Sequence, residues 1–419
     1  MKIYTYTKPL STDIVDAFCS LQQDFTDQFV YYDKSNPCRY FGLGRCVAVP
    51  SLDDIDVIPK DPAMQAPVFF SFNRFDAENP QPTDELFATF PHLTYMLPEV
   101  VLFENNDGMF LQVNSLGPVY EGRVTRFMDA AIAAPARTRS HIPFTITRDD
   151  PDAWNQQVAQ GLKAIESQRL RKIVLSRRCR FHAQQRFTSC EVVVNLIDGS
   201  ARGTVFLYRY GDVFFCGCTP ELLVRKQGDR VESMCLAGTC DVGANEKECA
   251  EHAQALLDDD KNRREHAFVV DFIRQVFDRT CYDVHIDDVP HIKRLKHVQH
   301  LCTPVHARIM DGRTLEQLAA QLHPTPALAG APVGEALMSI RSIEPFNRGF
   351  FGGAVGVVNA CGDGEMSVAI RSGVFDGSEG WVYAGCGIVA GSNAAQEYAE
   401  IDLKLKTILS AFDGGDLYE

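Results

Sequence analysis

Residues 383–405 read YAGCGIVAGSNAAQEYAEIDLKL, and the two halves of this stretch follow different rules. The first, Ala384 to Ser392, is a run of small residues where the backbone can lie close to a ligand or take positive φ. The second, from about Asn393, has the period of a helix, with Ile401, Leu405, Ile408 and Phe412 on one face. Glu397, Glu400 and Lys404 fall on or beside that apolar stripe, not opposite it. Unpaired charge turned inward costs roughly several kcal/mol per ion. Glu400 and Lys404 are spaced to form a plain helix ion pair. The alternative is that the carboxylates and the ammonium face a metal or an anionic ligand.

A chain of 419 residues can bury a large core, and length alone suggests two or three domains. Hydrophobic content of 45% and charged content of 23% are those of an ordinary globular protein. The net charge of −14 argues against non-specific binding to nucleic acid or to an anionic membrane surface. A small anionic substrate would therefore need a locally positive pocket or a bound cation. The 14 cysteines are scattered, and Cys216 and Cys218 have neither zinc-ribbon nor thioredoxin spacing, so reduced thiols are expected. The N-terminus MKIYTYTKPLST lacks an apolar leader core, and no apolar run reaches the roughly 18 residues of a membrane span. The expectation is a soluble cytoplasmic protein.

Along the chain, residues 14–29 read as a helix, and Gly42-Leu43-Gly44 as a tight turn after a strand. Strands are expected at 68–72 and 100–103, the latter followed by a turn at 105–108. After a connection at 134–147, Trp154, Val158, Leu162 and Ile165 mark a helix beginning near Asp150. Lys172 opens the apolar strand 172–177, as a solvated strand end or as a catalytic group. Strands at 204–208 and 213–218 follow. Glu221, between Pro220 and two leucines, is either a surface residue or a carboxyl drawn inward, where its pKa would rise and suit general-acid work. A long helix is expected over 246–279, with the run at 258–261 on its solvated face. Glu265 shares its face with Phe268, Val269, Phe272 and Val276, so a second inward carboxylate sits on a different helix from Glu400. Together the two suit a hard divalent cation, because magnesium takes one or two protein carboxylates plus waters and substrate oxygens. His300 reads as a core histidine, and Arg371, at the end of a strand over 367–371, as the partner of a carboxylate from protein or ligand. The glycine-rich run has no following Lys-Ser/Thr, which excludes a P-loop.

Taken together, these blocks resemble the chorismate-utilising enzymes: anthranilate synthase component I, aminodeoxychorismate synthase component I, isochorismate synthase and salicylate synthase. The resemblance rests on KIVLSR (172–177), TPELL (219–223), LAGT (236–239), REH (264–266) and VQHL (298–301). It continues through HPTPALAG (323–330), SVAIR (367–371), YAGCGIVAGS (383–392) and EYAEIDLK (397–404). It is specific over 150–411, whereas 1–149 matches weakly, through GLG, FSF and LPEVVLF. Water-adding members carry lysine at the first position of KIVLSR, here Lys172, and the HPTPALAG loop is similar to that of isochorismate synthases. Two departures stand out. LAGT runs into Cys240-Asp241-Val242 without the arginine often found there, and FFGGAVGVV lacks the tyrosine and tryptophan frequent in the family.

The resemblance implies an α+β fold: a single large domain, 1–419, of two big antiparallel β-sheets packed together with helices outside. That overrides the length prior. It implies isochorismate synthase activity with Mg2+ held by Glu265 and Glu400, with Glu397 alongside. Lys172 would be the base toward water and Glu221 the acid toward the leaving hydroxyl. Arg371 and Lys404 would meet substrate carboxylates, Gly238, Tyr383 and Gly385 would give backbone and shape contacts, and His300 would order water or carboxylates near the metal. Salicylate synthase and a non-catalytic chorismate-binding relative are the alternatives. No glutamine amidotransferase subunit is expected, and menaquinone biosynthesis, or else a siderophore, is the pathway implied.

Overall fold

The computed structural model describes residues 1–35, 39–52, 55–59, 66–92, 94–132, 137, 139–199, 202–296 and 298–412. Among these, the strands gather into sheets of 13 and 10 strands. The long ladders are antiparallel, while Asp56–Pro59 runs parallel to Lys2–Pro9. Alternation along the strands decides what lies between the sheets. Phe29 in Asp27–Asp33 and Tyr208 in Thr204–Tyr210, from the larger sheet, meet Phe70 and Phe72 in Val68–Phe72 of the smaller one. Ring centroids lie 5.3 Å apart for Phe29–Phe70 and 5.1 Å for Phe72–Tyr208, the range in which aromatic pairs attract. The opposite faces carry aliphatic residues under the helices. Ile173 and Leu175, for example, pack beneath Gly161 of the helix Pro151–Glu166. Two big sheets with helices outside is thus the architecture observed.

Three local expectations are corrected. The first helix spans only Ile14–Leu21, because Asp27–Asp33 is a fully paired strand beside Thr204–Tyr210; burial of its aromatic residues overrides the helical reading. The turn expected at Gly42 falls later, at Gly44 with φ of 65°, since Gly42 and Leu43 remain paired in Arg39–Leu43. The long helix is two, Glu246–Asp258 and Asp260–Thr280. Asp259 is extended and its carboxylate accepts from Asn262 N at 2.7 Å, so the acidic run caps a helix where a solvated face was expected.

The strand Lys172–Ala183 needs a separate account. One edge pairs along its length with Glu379–Val389. The other pairs with Gly330–Ala331 at Lys172 and Ile173 and with Phe144–Thr147 from Arg180 to Ala183, leaving the middle without a strand beside it. Buried amides and carbonyls there must find other partners. Val174 N donates to Ala329 O at 2.8 Å and Ser176 N to Glu344 Oε1 at 2.7 Å. Arg348 closes the set: Nη2 donates to Val174 O at 2.8 Å, Nη1 to Leu328 O at 2.9 Å, and the guanidinium grips Glu344 at 2.5 and 2.9 Å. Both side chains are almost wholly buried, at 3% and 1% exposed.

Breaking this clasp from one side leaves a charge buried alone. Arg348→Ala is expected to lower the unfolding free energy by about 3–5 kcal/mol, measured by urea titration. A loss under about 1 kcal/mol, the scale of an exposed pair, would show that the carboxylate does not depend on the arginine.

Candidate active site

Where the lysine strand and Glu379–Val389 of the larger sheet approach Arg230–Asp241 and Val298–Ile309 of the smaller one, they enclose a cavity of about 70 Å³. Glu221, Gly238, Glu265, His300, Arg371, Gly385 and Lys404 all line it. Seven residues singled out from the sequence are therefore brought together. Arg371 also borders a second cavity of about 400 Å³, whose charged lining is Arg202, Arg294 and Lys296 besides Arg371 itself. The smaller cavity holds the acids as well as the cations.

Lys172 is fully buried at the start of its strand, with Nζ 2.9 Å from Glu265 Oε1, a close ion pair without the alignment of a hydrogen bond. The solvated strand end is excluded. Glu265 comes from Asp260–Thr280, and the two side chains meet across Gly387. A Cβ on Gly387 would stand 2.8 Å from Lys172 Cε and collide with Glu265 Oε1. Burial alone would raise the Glu265 carboxyl, but Lys172, with Lys404 and Lys261 behind it, holds it below the usual carboxylate range.

Glu221 faces the opposite balance. It follows the strand Val213–Thr219, its own N–H donating to Thr219 Oγ1 at 3.2 Å and its carbonyl accepting from Val368 N at 3.0 Å. Its carboxyl receives no hydrogen bond from a described residue. Burial pushes it up to about 7, although Lys172, Arg371, Lys293 and Lys404 pull the other way. Lys293, whose Nζ donates to Pro220 O at 2.7 Å, is a neighbour that sequence reasoning missed; it sits in a short strand, His291–Arg294, with no apolar period to mark it.

Gly238 has φ of 79° where the pairing of Arg230–Asp241 with Val298–Ile309 slips by a residue. This bulge turns the Gly238 carbonyl onto His300 Nδ1 at 3.1 Å. A carbonyl only accepts, so Nδ1 carries the proton and Nε2 is left to accept from Arg371 Nη2 at 3.3 Å. Burial, with Arg371 and Lys404 nearby, holds His300 well below its ordinary pKa, which agrees with this neutral tautomer. Arg371 differs from expectation. Gly364–Val368 ends before it, and it lies in a connection at φ of 56° with no ion pair to a described carboxylate. Burial lowers its pKa to about 10.

The helix Ala394–Leu409 begins at Asn393, whose side chain accepts from Ala395 N and Gln396 N. Phe412 lies beyond its end. Glu400 and Lys404 form the i, i+4 pair at 2.7 Å, and Lys404 Nζ also donates to Gly385 O at 2.9 Å. Glu397 is 2% exposed and bonds Lys261 at 2.6 Å, so the run at 258–261, read as a solvated face, supplies a cation to the interior. Lys261 stands four residues before Glu265, a spacing that points both to one side of the helix. Tyr383 is set apart. It is fully buried in the aromatic layer, stacked on Phe351 with centroids 5.3 Å apart, and it is Phe351 that reaches the cavity.

Glu265, Glu397 and Glu400 supply the oxygen donors a hard cation requires, and each now faces a lysine ammonium. Among the described residues no three metal-binding side chains converge on one point. Magnesium asks for only one or two protein carboxylates, so the donor chemistry of this set fits that ion.

The family model of the chorismate binding enzymes matches residues 6–413. Isochorismate synthase MenF of Bacillus subtilis is 32% identical over 358 residues, covering 83% of this chain and 75% of that one. The salicylate biosynthesis isochorismate synthase of Pseudomonas aeruginosa is 36% identical over 294 residues, 67% of this chain and 61% of that one. In fold, the chain is similar to MenF of Escherichia coli, with a TM-score of 0.81 at 23% identity, covering 98% and 94% of the two chains. Anthranilate synthase component I from Streptococcus pneumoniae follows, with a TM-score of 0.71 at 21% identity, covering 91% and 89%.

Glu221 gives a direct test of the cavity's electrostatics. The folded chain keeps this proton up to about 7 while the unfolded chain loses it near 4.5, so stability must fall as pH rises through that window and stay lower above it. Relative to Glu221→Gln, the wild type is expected to lose unfolding free energy between about pH 4.5 and about pH 8. A difference that does not change with pH would mean that Glu221 ionises normally.

Proposed function

From its membership of the chorismate-binding enzyme family, to which this chain belongs, we propose that it is an isochorismate synthase. It adds water at ring carbon 2 of chorismate and expels the hydroxyl from carbon 4. The observation that carries this reading is the pairing of a buried acid with a buried amine: Glu221, held protonated to about 7, in the electrostatic reach of Lys172. Two groups whose surroundings differ so sharply can divide acid and base work between them.

In this mechanism Lys172 is the base that takes the proton of the attacking water. Glu221 gives its proton to the departing hydroxyl from the other side. Arg371, which has no carboxylate partner of its own among the described residues, and Lys404 receive the substrate's carboxylates. His300, fixed as the Nδ1–H tautomer, holds the Arg371 guanidinium at 3.3 Å. Gly238 and Gly385 keep the backbone close to the substrate. Glu265 and Glu400, with Glu397 beside them, would hold magnesium, which when bound neutralises the ring carboxylate. Lys172 and Lys404, which now neutralise Glu265 and Glu400, would then be free to turn toward the substrate.

The reading extends to menaquinone as the pathway served. The Bacillus subtilis MenF relative matches 83% of this chain, against 62% for that organism's DhbC. Loss of the gene should therefore deplete menaquinone.

Purified protein given chorismate and magnesium should form isochorismate without pyruvate. Pyruvate release would identify a salicylate synthase, and no product at all a binding relative. Lys172→Ala should retain chorismate binding while turnover falls by roughly 10²–10⁴-fold. Near-normal turnover at saturation would leave Lys172 a binding residue only. Glu400→Ala should need more magnesium for half-maximal rate, and an unchanged requirement would remove it from the metal site. Wild-type turnover should decline as pH rises through about 7, where the acid is lost.

A further inference from the structure

We propose that the Ser176 hydroxyl is a substrate contact, donating to a carboxylate oxygen beside Lys404. This rests on the chorismate reading above and names a residue it does not use. Ser176 lines the cavity and is 1% exposed, yet its Oγ has no hydrogen-bond partner among the described residues. Buried hydroxyls normally have one. Ser176 and Gly385, its cross-strand partner, both line the cavity, and a Cβ at position 385 would stand 2.7 Å from Ser176 Oγ, so the bare Gly385 leaves the hydroxyl its room.

The placement also says which part of the ligand it meets. Lys172, Val174 and Ser176 share one face of their strand by alternation, and Val174 and Ser176 both line the cavity. Lys172 Cε comes within 2.8 Å of where a Cβ on Gly387 would stand, and Gly387 pairs with Val174, so the ammonium end reaches along the face toward Ser176. Lys404 donates to the carbonyl of Gly385, the residue paired with Ser176, and sets an ammonium at the same edge. A carboxylate oxygen lying there accepts from both. The fold uses the Ser176 backbone, through its N–H to Glu344, and leaves the hydroxyl unspent.

The test is Ser176→Ala, with chorismate affinity read by calorimetry and turnover read separately. The dissociation constant and KM are expected to rise about tenfold or more, the scale of a hydrogen bond to a charged group, with kcat and the thermal midpoint little changed. Dissociation constant and KM within about twofold of wild type would overturn the proposal. A lowered thermal midpoint with unchanged affinity would assign the hydroxyl to the fold and overturn it equally. If wild type binds chorismate but forms no isochorismate, the functional reading falls while the ratio of dissociation constants still decides Ser176. If wild type binds no chorismate, both fall.

Discussion

A strand inside a sheet has two edges to satisfy, and the lysine strand satisfies part of one with a buried ion pair. Glu344 and Arg348 take up Ser176 N and Val174 O where no neighbouring strand runs. Because Arg348 also holds Leu328 O, the same pair ties the lysine strand to the loop that forms another wall of the cavity. A strand in that place would have supplied the hydrogen bonds equally well, but it would have filled the space the cavity occupies. The ion pair satisfies the edge from the side and leaves the face open. Its desolvation is offset by saturation: the guanidinium donates to two carbonyls as well as to the carboxylate.

The cavity sets burial against neighbouring charge, and the winner differs from residue to residue. At Glu265 the adjacent ammonium of Lys172 outweighs burial, and the carboxyl stays ionised. At Glu221 the cations stand off without a hydrogen bond and burial wins. His300 has two cations near it and is kept neutral. One small space thus contains an anion, a protonated acid and an uncharged imidazole near neutral pH. Distance, not residue type, separates the two glutamates.

The period of the sequence was a good guide in the C-terminal helix. The C-terminal helix, its Asn393 start and the inward tilt of Glu397 and Glu400 follow from the spacing of Ile401, Leu405 and Ile408. Glu265 was legible for the same reason. The plain ion pair that the spacing of Glu400 and Lys404 allows is the one present. What did not show in the sequence were residues whose role arises from contacts made far along the chain. Ser176 and Glu344 meet across 168 positions, and neither lies in a pattern that reveals it. Tyr383 was drawn into the site by its motif; it shares the face of Gly385 but stands two residues farther along the strand, where its ring packs in the aromatic layer. Arg371 was placed at the end of a strand over 367–371; the strand stops at Val368, and the apolar run Val368-Ala369-Ile370 gives no sign of that stop.

Gly387 has an implication for how such a protein tolerates change. Lys172 and Glu265 come together over a position that contributes no side-chain atoms, and a methyl group there would occupy the place of Glu265 Oε1. The vulnerability is to addition, not to loss. A survey that truncates side chains one at a time would find the charged residues and pass over this position, since a glycine has nothing to remove. The same holds for Gly385 beside Ser176 Oγ. Sequence drift at Gly387 would erase the space in which the charges meet, whereas at Gly385 an added Cβ would also stand 2.9 Å from the Leu175 carbonyl of the paired strand.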